Sequence, residues 1–272
     1  MRTILYAFLW LVCGIYSSCA QDDTPAPTPE STSPETATYL SQVYSNQQGS
    51  LPYRIMYPEG YDGEQKFPIL FFLHGAGERG NNNSSQLTHG GSLFLNAVKQ
   101  YPCIVVFPQC ASNDWWANNS SGAILSNGFP PFQNIPLDPP NPSMGLLEQL
   151  IDSLTHTAAV DTSRVYIAGL SMGGMGTAQL LAKKPTLFAA GVVIAGIAPL
   201  DFTDELSQTP TWIFHGSNDS VVAFSHGQAY FDAIDDGMGT HRFTVYPGVG
   251  HLSWDAAFAE PDFLSWIFSK SN

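Results

Sequence analysis

The sequence predicts an α/β domain built on a mostly parallel central sheet with helices on both faces. Apolar runs support this prediction, because strands covered on both faces lack the alternation of half-exposed strands. The runs are Phe67–Leu73, Cys103–Phe107, Val165–Leu170 and Phe188–Ala195. Stretches with helical spacing or small residues separate them, as in folds that alternate strands and helices.

Size and charge narrow the class of protein. The chain has 272 residues, of which 44% are hydrophobic and 12% charged, which suits one sizeable domain. Its formal net charge of −13 argues against nucleic-acid binding, which needs clustered lysine and arginine. The 24 glycines and 20 prolines indicate many turns and long loops.

Residues 1–19 indicate an export signal, since they begin with a basic residue and an apolar stretch too short to span a bilayer. The last four of these residues, Tyr16–Cys19, resemble a bacterial lipobox with Cys19 as the lipidated residue. Tyr16 departs from the small aliphatic residue usual at its position, and cleavage after Ala20 is the alternative. The protein is expected to be a lipoprotein of the cell envelope, attached to the membrane through that lipid, or a secreted protein.

Residues 20–38 are rich in proline, threonine, serine and acidic residues and hold no large apolar side chain that could pack. This composition predicts a disordered linker. The folded domain is therefore expected to span residues 39–272.

Local patterns predict the remaining elements. Leu51–Tyr57 alternates in polarity as a strand does, and Ser143 is the predicted N-cap of an amphipathic helix that ends at His156. The other predicted helices are Ser92–Lys99, Gly173 to about Lys184, Ser225–Ile234 and Asp262–Phe268. The last two predicted strands are Trp212–His215 and Phe243–Tyr246.

The pattern Gly169-Leu170-Ser171-Met172-Gly173 lies between a buried strand and a helix. This Gly-x-Ser-x-Gly arrangement is typical of the nucleophile elbow, a sharp turn that exposes a serine hydroxyl. The two glycines leave the space that a serine in a strained conformation needs. Ser171 is therefore the predicted nucleophile, and a glycine-serine turn without chemistry is the alternative.

Loops after two later strands supply candidates for an acid and a base. Asp219 follows the strand that ends at His215, and His251 follows the last strand among glycines. The order Ser171, Asp219, His251 matches the chain order of Ser-Asp-His hydrolases of this kind. Asp201 and Asp204 compete for the role of the acid. The other histidines are assigned to structural positions (His74 and His215) or to loops and helix surfaces (His89, His156, His226 and His241).

Four motifs in one chain resemble the α/β-hydrolase superfamily over about residues 40–272. They are Leu73–Gly80, Pro108–Cys110 with Trp116, Gly169–Gly174 and Gly250–Trp254. They are similar to motifs of bacterial secreted esterases and predicted peptidases related to prolyl oligopeptidase, of feruloyl and acetylxylan esterases, and of polyhydroxybutyrate depolymerases.

The resemblance implies an α/β-hydrolase fold and a role for each candidate residue. His251, oriented by Asp219, would remove the proton from Ser171, which attacks an ester carbonyl. The backbone N–H groups of Ala76 and Met172 would form the oxyanion hole. Glu78 and Arg79, in the same loop as Ala76, are expected to support it as a local ion pair.

These roles predict a serine-dependent carboxylic ester hydrolase that works through an acyl-enzyme. Its substrate would be a small or polysaccharide-linked ester, such as an acetyl or feruloyl ester of plant polysaccharide. A serine peptidase of prolyl-oligopeptidase type and a non-catalytic binding domain on the same scaffold are the alternatives. No cofactor is expected, and no metal, because no pair of histidines or cysteines has ligand spacing with a third partner.

Ala111–Asn141 is the longest irregular stretch, and loops of this length in a compact domain tend to be functional or disordered. Trp115 and Trp116 are candidate substrate-binding residues that could line an acyl or aryl pocket or stack on a sugar. Equally, they could pin the loop to the core. Cys103 and Cys110 stand at opposite ends of a predicted strand, too far apart to bridge each other.

Overall fold

The computed structural model describes residues 38–117, 136–157 and 159–272. The predicted signal peptide with Cys19, nearly all of the predicted linker and the middle of the predicted 111–141 loop lie outside these ranges. Within them, no helix has both the length and the apolar character required to cross a membrane.

The described strands form one sheet with a mostly parallel order. They are β1 (Leu40–Asn46), β2 (Gly49–Met56), β3 (Phe67–Leu73), β4 (Ile104–Pro108), β5 (Val160–Leu170), β6 (Ala190–Ile194), β7 (Thr211–Gly216) and β8 (Arg242–Tyr246). Their order across the sheet is β1-β2-β4-β3-β5-β6-β7-β8. The β1–β2 and β2–β4 pairs are antiparallel, and every other pair is parallel. The predicted α/β architecture is confirmed.

The helices of the described chain connect these strands and pack on the sheet. They are α1 (Gly91–Ala97), α2 (Pro142–Thr155), α3 (Met172–Lys183), α4 (Thr203–Leu206), α5 (Phe224–Ile234), α6 (Trp254–Phe258) and α7 (Phe263–Phe268). Short 3-10 helices span Ala76–Glu78, Ser85–Leu87 and Leu200–Phe202.

Strand β3 shows why the central strands are apolar at every position. Ile69 and Phe71 belong to a core with residues of α2, α3 and α5, whereas Leu70 and Phe72 belong to a second core with residues of α1, α6 and α7. All four side chains are fully buried. Helices therefore cover both faces of the sheet, and a strand in its centre has no face for polar residues.

Some elements of the structure differ from the local predictions, which also lacked the short helices α4 and α6. The edge strand β1 was not predicted, because it is largely exposed and polar and forms by pairing with β2 rather than by its own pattern. Helix α2 begins at Pro142, after Asn141, so the predicted N-cap at Ser143 is wrong. Proline favours the first position of a helix, where its missing N–H costs nothing. The Ser143 N–H instead donates to the Asp114 carboxylate at 2.6 Å.

Candidate active site

Ser171 occupies a strained turn between β5 and α3. Its backbone has φ 52° and ψ −118°, a conformation that L residues rarely adopt, and α3 begins at the next residue. A Cβ on Gly169 would lie 2.3 Å from the Gly173 carbonyl oxygen, and one on Gly173 would lie 1.9 Å from the Leu73 carbonyl oxygen. Gly169 must therefore lack a side chain for the turn to close, and Gly173 must lack one for the turn to lie against β3.

Ser171, His251 and Asp219 form a continuous line of hydrogen bonds. The Ser171 hydroxyl lies 2.9 Å from His251 Nε2, and His251 Nδ1 lies 2.8 Å from Asp219 Oδ2. An anionic carboxylate can only accept, so Nδ1 carries the proton and donates to it. Nε2 is then left to accept the serine proton. The structure thus brings together the three residues that the sequence singled out.

The loops that carry the acid and the histidine are held against each other. The Asn218 N–H donates to the Val249 carbonyl at 2.9 Å. A Cβ on Gly216 would lie 2.4 Å from the carbonyl oxygens of both Val249 and Gly250. The end of β7 must therefore lack a side chain for the loop after β8 to approach, and this approach brings His251 to Asp219.

The Asp219 carboxylate is surrounded by donors. Its Oδ1 accepts the N–H groups of Val221 and Val222 at 2.8 and 2.9 Å. Its Oδ2 faces His251 and also lies 3.4 Å from His215 Nε2. Burial raises the pKa of this carboxyl, but the two histidines and the two N–H groups together hold the pKa well below its usual value. Asp219 is therefore anionic at neutral pH.

His215 is a residue of the site whose contact with Asp219 the sequence did not indicate. In its fully buried ring, the Nε2–H donates to the Val222 carbonyl oxygen at 2.9 Å, and Nε2 also lies 3.4 Å from Asp219 Oδ2. Gly227 leaves room for the ring, because a Cβ there would lie 2.5 Å from His215 Nδ1. No residue pattern signalled this contact, because the spacing of four residues between His215 and Asp219 does not by itself fix the path of the turn.

Replacing His215 with leucine is expected to lower kcat for ester hydrolysis by about tenfold with little change in KM. The reason is the loss of a polar ring whose Nε2 lies 3.4 Å from Asp219 Oδ2 and helps to hold the carboxylate toward His251. A tenfold change corresponds to about 1.4 kcal/mol in the activation free energy. His215→Gln, whose amide can reach toward the same atoms, is expected to recover most of kcat. Steady-state kinetics with 4-nitrophenyl acetate measures both variants. If the folded leucine variant keeps kcat within about twofold, His215 does not position the acid.

The predicted oxyanion loop lies beside Ser171. A Cβ on Gly75 would lie 3.7 Å from Ser171 Cβ, and the short helix Ala76–Glu78 follows at once. Met172 is the first residue of α3, so its N–H has no partner in a preceding helical turn. Gly75, the residue before Ala76, thus lies against Ser171, and Met172 directly follows the serine in the chain.

Polar contacts fix this loop, but not the expected ion pair. The Arg79 Nε donates to the Ala76 carbonyl at 2.9 Å, and the Arg79 guanidinium lies 4.7 Å from the centre of the Trp115 ring. Glu78 instead faces His89, with 3.7 Å between Oε1 and Nε2. The prediction that Glu78 and Arg79 pair is therefore wrong, since their side chains point to different neighbours.

His74 ties the loop to β4. Its Nδ1–H donates to the Gly75 carbonyl at 2.6 Å, and its Nε2 accepts the Cys110 N–H at 3.0 Å. Burial, together with the positive charge of Arg79, lowers the pKa of His74 to about 4, although the bond to the Gly75 carbonyl acts in the opposite direction. The contact with Cys110 needs the neutral ring, because a proton on Nε2 would face the Cys110 N–H.

This geometry predicts a pH dependence of stability. The pKa of His74 is lowered from 6.5 to about 4 in the folded protein, so the unfolded chain binds more protons between these values. The stabilisation is complete above about pH 6.5 and is lost as the pH falls toward about 4, by up to about 1.4 kcal/mol per pH unit. Urea unfolding of the wild type and of His74→Asn, which cannot titrate, should give diverging curves over this range. Parallel curves would contradict the assignment.

The two tryptophans have different environments. Trp116 is fully buried, its ring centre lies 5.3 Å from that of His74, and a Cβ on Gly176 would lie 2.5 Å from Trp116 Cβ. It packs the loop against α3, and its role in substrate binding stays a prediction, as an alternative to this packing role. Trp115 is only partly buried, beneath Arg79, and substrate binding by Trp115 stays a prediction.

In the described part of the chain, no group of three or more His, Cys, Asp or Glu residues could hold a metal ion. Cys103 and Cys110 are free and buried, and burial raises the pKa of the Cys110 thiol to about 12. Neither thiol is therefore a nucleophile at neutral pH.

The sheet order, the elbow at the end of β5 and the Ser-His-Asp line define the class of protein as an α/β-hydrolase. A family model described as Phospholipase/Carboxylesterase matches residues 62–261. The chain belongs to this family.

Individual proteins show the same likeness. The chain is 28% identical to "Carboxylesterase SOBER1" of Arabidopsis thaliana over 196 residues, which cover 67% of this chain and 82% of that protein. It is 27% identical to "Probable acetylxylan esterase A" of Neosartorya fischeri over 144 residues, which cover 52% of this chain and 35% of that protein. The crystal structure of a thermostable esterase superposes with a TM-score of 0.74 at 27% identity, covering 86% of this chain and 63% of that chain. The protein is a hydrolase of the esterase type.

Proposed function

We propose that the protein hydrolyses carboxylic esters through a covalent acyl-enzyme on Ser171. The observation that supports this most strongly is the unbroken line from the Ser171 hydroxyl through His251 to the Asp219 carboxylate. A serine hydroxyl is a weak nucleophile unless a base takes its proton, and an imidazole with a free Nε2 is such a base.

In the first step Ser171 Oγ attacks the ester carbonyl carbon while its proton passes to His251 Nε2. The carbonyl π electrons move to the oxygen, and the N–H groups of Ala76 and Met172 bind the resulting oxyanion. A donor of this kind is worth about 3 kcal/mol in the transition state. Asp219 stays anionic and stabilises the imidazolium, because its pKa lies far below neutral pH.

In the second step the bond from carbon to the alcohol oxygen breaks, and His251 gives its proton to that oxygen. The acyl group then remains on Ser171. A water molecule then takes the place of the serine as nucleophile: it loses a proton to His251 and attacks the acyl carbon. The acid leaves, and His251 returns the proton to the Ser171 oxygen.

We further propose that the esters are acyl groups on plant polysaccharide, such as acetyl or feruloyl esters. The support is the similarity to a relative named as an acetylxylan esterase, which extends over about half of this chain. The predicted lipid on Cys19 would keep the enzyme at the cell envelope. Lipidation is tested by labelling the wild type and Cys19→Ala with radioactive palmitate in the producing cells, and label in the wild type alone is the expected result.

An ester panel tests the activity. Short 4-nitrophenyl esters, acetylated xylan and methyl ferulate are compared with peptide anilides, and Ser171→Ala is the blank. Ester turnover that disappears in the blank is the expected result. Dominant cleavage of the peptide anilides would favour a serine peptidase, and no turnover of any substrate would favour a binding domain.

A further inference from the structure

The carboxylate of Glu78 lies beside Gly75, the residue of the oxyanion loop that faces Ser171, and it has no part in the steps above. A Cβ placed on Gly75 would lie 3.1 Å from Glu78 Oε2 and 3.7 Å from Ser171 Cβ. The carboxylate and the serine thus both lie at contact distance from one point on the oxyanion loop. Only the backbone of Glu78 supports the loop, since its carbonyl accepts from Gln109 Nε2 at 3.1 Å.

The side chain of Glu78 has spare hydrogen-bonding capacity. Among the described residues, its carboxylate faces the ring of His89, with Oε1 3.7 Å from Nε2, which is too long for a hydrogen bond. The two side chains are 14% and 30% exposed, so a ligand in the site could reach both. The pair therefore offers acceptor oxygens on Glu78 and a ring nitrogen on His89 to a bound molecule.

Aromatic contacts place this pair on one side of the scissile bond. The His89 ring centre lies 5.2 Å from the Trp254 ring, which lies 5.6 Å from the His251 ring. Glu78, His89, Trp254 and His251 thus form a continuous rim. The leaving alcohol must be next to His251, because His251 protonates its oxygen, so the rim borders the alcohol side.

Charge gives the reason for a recognition role. A carboxylate near the oxyanion hole repels the negative charge that develops there, so it does not assist the chemistry as such. It can, however, accept hydrogen bonds from hydroxyl groups of the substrate, which an apolar alcohol lacks. A site that relies on such a bond discriminates strongly against analogues without the hydroxyl.

We propose that Glu78 and His89 form a subsite for a hydroxyl group neighbouring the esterified oxygen, so that the preferred substrates are esters of sugars or other polyols. This inference rests on the proposed ester hydrolysis through Ser171. The neighbouring hydroxyl donates a hydrogen bond to the Glu78 carboxylate. It accepts one from His89 in the tautomer that carries its proton on Nε2.

The test compares two esters that differ in their hydroxyl groups. Methyl 2-O-acetyl-β-D-xylopyranoside has a free neighbouring hydroxyl on a six-membered ring, and cyclohexyl acetate has the same ring size without hydroxyls. The wild type should favour the xyloside at least tenfold in kcat/KM. Glu78→Gln, which keeps the shape and removes the charge, should lower this ratio at least tenfold. Glu59→Gln, an exposed glutamate on the β2–β3 loop, is the matched control and should leave the ratio unchanged.

Three outcomes separate the possibilities. Equal losses on both esters in Glu78→Gln would overturn the subsite, because they would assign Glu78 to loop structure. A wild type that hydrolyses both esters equally would overturn it as well. Absence of 4-nitrophenyl acetate turnover in the wild type would instead contradict the proposed function itself. If Glu78→Gln fails to fold, Glu78→Asp is the second variant. Its side chain is shorter and holds the charge farther from the substrate hydroxyl, so it should also lower the preference for the xyloside over cyclohexyl acetate.

Discussion

His251→Gln is expected to lower kcat for ester hydrolysis by about 10⁴-fold or more, because removing the base of a Ser-His-Asp site costs this order of magnitude. This corresponds to about 5.5 kcal/mol in the activation free energy. The only atom within reach of the Ser171 proton in that line is His251 Nε2 at 2.9 Å, and a glutamine amide cannot take up a proton at neutral pH.

The measurement is kcat for 4-nitrophenyl acetate with purified wild type and variant at pH 8. His156→Gln is the control, since His156 is an exposed residue at the end of α2. A folded His251→Gln variant that keeps more than about a tenth of kcat would show that another group acts as the base.

Gly173→Ala is expected to destabilise the protein by at least about 3 kcal/mol or to prevent folding. The new Cβ would lie 1.9 Å from the Leu73 carbonyl oxygen and 2.7 Å from the His74 carbonyl oxygen. Both are backbone atoms of β3 and its end, which cannot move without displacing the strand or the start of α3.

Urea unfolding measures this effect, with Gly77→Ala as the matched control. A Cβ on Gly77 would meet nothing within 4 Å, so a change within about 1 kcal/mol is expected there. If the two variants unfold at the same urea concentration, the tight contact between the elbow and β3 is not a determinant of stability.

The sequence was sufficient for features that arise from local patterns. Buried strands appear as apolar runs, and the elbow appears as two glycines around Ser171, because the glycine spacing of this turn is a short, recurring motif. Asp219 and His251 could be selected because the ends of parallel strands meet at one edge of the sheet. Their catalytic roles stay predictions that the kinetics above will test.

The features that the sequence did not predict depend on contacts between distant parts of the chain. The contact between His215 and Asp219 follows from the path of the turn after β7, and no pattern of residue types encodes that path. The burial of Trp116 against α3 depends on the small side chains of that helix, Gly176 among them. The rim that joins Glu78 and His89 to Trp254 combines three separate loops and helices, so it could be found only from the coordinates.

The most direct test of the account is covalent labelling of Ser171. A fluorophosphonate is incubated with folded wild type and with Ser171→Ala, and intact mass and peptide mapping follow. One adduct per chain, located on Ser171 and absent from the variant, is the predicted result. Labelling at another residue, or full ester hydrolysis by Ser171→Ala, would contradict the proposal that Ser171 is the nucleophile.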